Sequence, residues 1–168
     1  MLLTSAEAAK LLNKLKDEYQ SVLENEAMSK EFLAAVGEDI ESVRPEYDFA
    51  ATQAALESLE AKVRKVKHAL NVFNSTTVVP GFGMTIDEML IYIPQLSQSK
   101  MRLANMRSRL PKQREQSRAS QSNILDYRYT NYDIAAAGAE YDRVSELLSK
   151  AQLALDAVNN SAKLEISL

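Results

Sequence analysis

Apolar residues recur along most of the chain in alternating steps of three and four, the spacing that lines one face of an α-helix. The first row runs Ala8, Leu12, Leu15, Tyr19 and Val22, is widened by Leu11 and Leu23, and predicts a helix over about 4–27. Thr4 followed three residues later by Glu7 has the form of a capping box, in which each side chain satisfies a backbone donor that the helix start leaves orphaned. Phe32, Leu33 and Val36 predict a short helix over 29–36, stopped by Gly37 as a left-handed cap. The most regular row is Phe49, Thr52, Leu56, Leu59, Val63, Val66, Leu70 and Phe73, a coiled-coil seam over 49–73 capped by Asp48. A second capping box, Thr85 with Glu88, opens a helix over 86–110 whose inner face uses Ile86, Leu90, Ile93, Leu96, Leu103 and Leu110. Pro94 has no N–H for the carbonyl of Leu90, so a kink is expected there. Asp133 caps the last helix, over 134–158, with its row Ala137, Tyr141, Val144, Leu148, Ala151, Leu155 and Val158.

Between the helices lie shorter signals. Residues 76–79 are β-branched and precede the Pro80-Gly81 turn, while 124–130 alternates at Leu125, Tyr127 and Tyr129. The expected β element pairs these two stretches. Residues 111–123 are polar and without period and are expected to form a mobile connection, and 163–168 alternates as a short terminal extended piece. The fold class is therefore mostly α: an elongated antiparallel bundle or set of coiled-coil hairpins with a small β element, in a single domain over 1–168. Stripes this long and narrow commonly complete their core with a second copy, which predicts a homo-oligomer.

Composition narrows the chemistry more than it identifies it. The chain has no Cys, so disulfides, thiolate nucleophiles and Cys-based zinc sites are excluded. The longest apolar run, Met89 to Ile93, falls far short of the ~20 residues that a membrane span needs. With no apolar leader after Met1, a cytoplasmic location is expected. No complete catalytic, metal-binding or nucleotide-binding signature is present, and no cofactor is expected. The only histidine, His68, lies off the seam among Arg64, Lys65 and Lys67 and reads as a surface residue.

Two sets of residues stand out as candidate contacts. Lys100, Arg102, Arg107, Arg109, Lys112, Arg114 and Arg118 place seven cations against the single acid Glu115, a stretch able to meet phosphate backbones. Its alternative role is to face acidic protein surface, of which Asp17 to Asp48 carries a great deal; the overall charge of −3 favours this reading. Tyr127, Tyr129 and Tyr132, around Arg128 and Asn131, have the composition of a base-stacking platform, although tyrosines alternating along a strand more often form half-buried packing. The second set is polar: Asn71, Asn74, Thr76, Thr77, Thr85 and Asp87, gathered about the reversal between two long helices, where a small-ligand or enzymatic site is conceivable and backbone capping explains most of them.

The order of Asn71, Asn74-Ser75-Thr76, Gly83-x-Thr85-Ile86-Asp87-Glu88, Tyr132-Asp133-Ile134 and Gln152, Leu155-Asp156, Asn159 resembles a family of small bacterial helical-hairpin proteins, some labelled septicolysin. The resemblance covers about Asp48 to Ile166 and implies a helical-hairpin fold. Two features depart from it: the acidic connection from Ser29 to Tyr47 is longer, and Pro94-Gln95 stands where charged residues are usual. The pore-forming activity that the label suggests finds no counterpart in the residues, which include no amphipathic strand long enough for a barrel wall.

Overall fold

Threonines at Thr4 and Thr85 determine where two of the long helices begin. In a computed structural model, which describes residues 1–115 and 126–168, the chain is mainly helical with three small antiparallel strand pairs. The elements are β1 (Leu2–Thr4), α1 (Ser5–Ser29), α2 (Ile40–Val43), α3 (Phe49–Thr76), β2 (Val78–Val79), β3 (Met84–Thr85), α4 (Ile86–Arg107), β4 (Lys112–Arg114), β5 (Tyr127–Tyr129), α5 (Ile134–Ser161) and β6 (Lys163–Glu165). They group into two compact units, 1–77 with 158–168, and 78–157.

In the first unit α1 and α3 pack antiparallel, as their side-chain bonds show. Tyr19 Oη donates to Glu60 at 3.1 Å, and Gln53 Nε2 donates to Glu26 at 2.9 Å, so positions advance along one helix as they retreat along the other. Ala8 and Leu15 of α1 and Leu56, Leu59, Val66 and Phe73 of α3 are buried, as the seam predicts. Phe49, at the start of that row, is exposed. β1 pairs with β6 in the register Leu2 to Glu165 and Thr4 to Lys163, and Leu164 and Ile166 are buried beside them.

The second unit opens on a hairpin rather than on the long-range pairing expected from the sequence. β2 pairs with β3, Val78 opposite Thr85 and Val79 opposite Met84, whereas β5 pairs with β4, Lys112 opposite Tyr129 and Arg114 opposite Tyr127. The local partner wins because Pro80-Gly81 reverses the chain at once, with Gly81 and Gly83 at φ 83° and 65°, so little loop entropy opposes closure. Residues 112–114, expected to belong to a mobile connection, are a strand. The remainder of that connection, from 116, lies outside the described residues, as do Arg118, Ile124 and Leu125.

Two helical expectations are also corrected. Residues 31–35 are not helical, although Gly37 does take the left-handed conformation at φ 88°. A helix of two turns cannot offset its nucleation cost without burying a face, and here Leu33 and Val36 are almost entirely exposed, at 96% and 109%. On α4 the buried row is Ile86, Met89, Leu96 and Leu103, with Leu90 exposed. The helix runs without a break through Pro94 and ends at Arg107, which leaves Leu110 beyond it and exposed. Pro111 disfavours helical geometry at Leu110, and the Arg109 N–H closes the last turn onto the Met106 carbonyl at 3.2 Å.

Both capping boxes are complete. The Thr85 hydroxyl accepts from the Glu88 N–H at 3.3 Å, and the Thr85 N–H donates to the Glu88 carboxylate at 2.7 Å; Thr4 and Glu7 repeat the arrangement. The Thr85 backbone N–H, and then its hydroxyl, bind the ionised Glu88 carboxylate and hold its pKa below the ordinary range. A depressed carboxyl pKa stabilises the fold above the unfolded value and ceases to do so as pH falls through the folded one. Thr85→Ala should cost about 1 kcal/mol and, because it removes the hydroxyl but keeps the backbone N–H, return the Glu88 titration, followed by NMR, only part of the way towards the ordinary carboxylate range. Met89→Ala should cost about 2–5 kcal/mol in urea unfolding. Leu90→Ala should cost less than about 1 kcal/mol, since an exposed side chain loses little on truncation.

Candidate functional site

The richest concentration of cationic and aromatic side chains is the β4–β5 ribbon with the neighbouring end of α4, all within the second unit. Because side chains alternate along a strand and the register sets Lys112 opposite Tyr129 and Arg114 opposite Tyr127, these four residues share one face. Lys112 Nζ stands 4.1 Å from the Tyr127 ring centre and 5.4 Å from that of Tyr129, a cation over two aromatic rings. Gln113 and Arg128 occupy the opposite face. There Arg128 donates from Nε and Nη2 to the two oxygens of Glu115, at 2.7 and 3.0 Å. This bidentate pair pulls the Glu115 carboxyl below its usual range, through the hydrogen bonds first and the charge second.

Backbone and hydroxyl bonds tie β5 to the residues just before β4, and one hydroxyl bond reaches the end of α4. The Thr130 N–H donates to the Pro111 carbonyl at 3.1 Å and its hydroxyl to the Leu110 carbonyl at 2.7 Å. Tyr132 donates its hydroxyl to the Met106 carbonyl at 2.8 Å, adding a side-chain donor to the carbonyl that the Arg109 N–H also reaches. Tyr132 is therefore a clasp. Tyr127 and Tyr129, expected to be half-buried, are exposed instead at 44% and 63%, and neither hydroxyl has a hydrogen-bond partner among the described residues. Arg109, Gln113, Tyr129 and Tyr132 help line a groove of about 370 Å³ alongside.

The predicted cations divide by environment. Arg107 lies flat over Tyr141, with Cζ 3.6 Å from the ring centre, and reaches Asp142 at 3.7 Å; Lys100 approaches the same ring at 5.8 Å. Arg102 lends a small electrostatic pull to Glu140, whose main partner is Arg143 at 2.7 Å. Arg109 donates from Nε to Asn105 at 3.0 Å. Arg114 makes no ion pair among the described residues. Tyr141 was legible only as a member of the α5 row, and its role beneath Arg107 has no signature in sequence spacing.

The polar set is partly occupied by backbone capping. Thr76 donates to the Val72 carbonyl at 2.7 Å, Thr85 caps α4, Thr77 receives the end of α3, and Asn71 and Asp87 are exposed. Asn74 Oδ1 is enclosed without a hydrogen-bond partner among the described residues. His68 is exposed on α3. Among the described residues no group of three or more His, Cys, Asp or Glu side chains could hold a metal ion, and no helix is long and apolar enough to cross a membrane.

No protein-family model matches the chain, and no curated protein is significantly similar. Among solved structures, the chain is similar to the crystal structure of a functionally unknown conserved protein from Corynebacterium diphtheriae. The match has a TM-score of 0.61 and 17% identity, and covers 98% of this chain and 100% of that one. At this identity the likeness is one of fold.

If the Arg128 to Glu115 pair holds the ribbon in register, Arg128→Gln should raise the Glu115 pKa towards the ordinary carboxylate range and speed amide exchange in residues 112–114. Two-dimensional NMR measures both. In the unsubstituted protein the pair's contribution is present above the unfolded Glu pKa and is lost in acid as pH falls through the depressed one.

Proposed function

We propose that the protein is a non-enzymatic helical scaffold that acts through contacts with other proteins, first of all with further copies of itself. The observation that carries this reading is the crowding of large exposed apolar side chains between Met28 and Phe49. Met28, Leu33, Val36, Ile40 and Phe49 all stand more than half exposed within that stretch of the first unit. Single exposed apolar residues are ordinary on a protein surface, but a concentration of them marks a place where another surface is meant to sit. Fully burying one such side chain is worth about 1.5–3 kcal/mol, so a few of them engaged together are enough to favour association.

The surroundings support a specific contact over indiscriminate adhesion. Glu31, Glu38, Asp39, Glu41, Glu46 and Asp48 intersperse the apolar residues, and a charged rim of this kind selects partners by complementary charge. Local bonds also shape the stretch: the Ala35 N–H donates to Glu38 at 2.8 Å, Arg44 lies 5.6 Å from the Phe32 ring centre, and Tyr47 donates to Glu26 at 2.9 Å.

Native mass spectrometry and light scattering at micromolar concentration should find one discrete oligomer. Leu33→Asp combined with Val36→Asp should shift it to smaller species while the circular dichroism stays unchanged, because neither side chain is packed within the chain. A monodisperse monomer of the unsubstituted protein would sink the proposal.

A further inference from the structure

We infer that the tyrosine face of the β4–β5 ribbon is a binding site for single-stranded nucleic acid, with bases stacking on Tyr127 and Tyr129 and phosphates meeting Lys112 and Arg114. The site lies in the second unit and is independent of the self-association proposed above.

Four observations converge on this ligand. Alternation and register bring two aromatic rings and two cations onto one face of a two-stranded ribbon. Tyr127 and Tyr129 remain exposed, and among the described residues the group over their rings is the flexible Lys112 side chain, which a base can displace. On the opposite face Arg128 is held by Glu115 in a bidentate pair, whereas Arg114 on the tyrosine face makes no ion pair among the described residues. Finally, Thr130 bonds to Leu110 just before β4 and Tyr132 bonds to Met106 in the last turn of α4, which fixes the ribbon, so a ligand meets a surface already in place.

Spacing separates a single strand from a duplex. Side chains two positions apart on a strand stand about 6.8 Å apart. Bases in a duplex rise about 3.4 Å per step and present their edges, with their faces already stacked. Only an unstacked, extended strand can offer a face to each tyrosine in turn. Aromatic side chains accept any base in this way, so the recognition is tolerant of sequence, and the flanking cations follow the backbone. Lys112, poised over both rings, sits where a phosphate between two stacked bases would pass.

The test uses the full chain and a fluorescent oligothymidine of about 12 nucleotides, a length within the range that one such site covers. Fluorescence anisotropy at low salt should show binding, and two phosphate contacts should give a slope of log K against log salt of about −1.4. Tyr127→Ala and Tyr129→Ala should each weaken binding about tenfold, Tyr127→Phe and Tyr129→Phe should retain it, and Lys112→Glu with Arg114→Glu should abolish it. An abasic strand of equal length should bind more weakly and should not respond to the tyrosine changes. Circular dichroism monitors folding, and the Phe variants keep the test decisive should an Ala variant misfold. The inference is overturned by absence of binding at low salt, by equal affinity for duplex or abasic strand, or by Phe variants that lose affinity as the Ala variants do.

Discussion

Thr4 and Thr85 each belong to two kinds of structure at once. Each is the last residue of a strand, paired across to Lys163 or Val78, and also the N-cap of a long helix. Both roles require an extended backbone, and both residues have one, with ψ of 161° and 164°. The cap therefore couples a strand pair to a helix start with no intervening residue, and neither can shift without the other. A slip of one position would turn every side chain of the strand to its other face and take the glutamate out of reach of the threonine. In the first unit this junction aligns α1 with β6; in the second it aligns α4 with the β2–β3 hairpin.

That junction was half legible. The threonine-to-glutamate spacing announced both helix starts, and the α3 seam correctly gave Leu56, Leu59, Val66 and Phe73 as buried. The strands attached to the caps were harder to read, since two or three residues carry no alternation that a sequence pattern can register. Pairing 76–79 with 124–130 matched two β-rich stretches by composition and overlooked the immediate reversal at Pro80-Gly81. The inner row of α4 missed at Leu90 for a similar reason. Met89 and Leu90 are adjacent and equally apolar, so only packing decides which is covered. The short helix expected at 29–36 had apolar residues but no surface against which to bury them.

The candidate surfaces show why charge counts mislead without geometry. The basic stretch reads as one uniform run, yet in the structure its members do different things: Arg107 and Lys100 lie over Tyr141, Arg109 is tied to Asn105, and Lys112 stands over the ribbon tyrosines. Among the described residues most of the ion pairs are exposed and join close neighbours in sequence, an arrangement that contributes little to stability. The tyrosines carry the more specific information. Their sequence alternation suggested packing, and their exposure reassigns them to the surface, where the number and order of rings matter more than the net charge around them.

Pro94 gives α4 a property beyond its contour. The Leu90 carbonyl receives no N–H from Pro94, and the Ile93 carbonyl accepts the Ser97 hydroxyl at 3.0 Å. The ladder is thus thinnest in mid-helix, on a side where Leu90 already faces water. Helices ordinarily fray from their ends, but α4 has a capped start and a clasped finish. The proline therefore adds an internal point of reduced hydrogen bonding to a helix secured at both ends. The buried side chains Met89 and Leu96 flank that point, so packing holds the helix on either side where its own backbone ladder is interrupted.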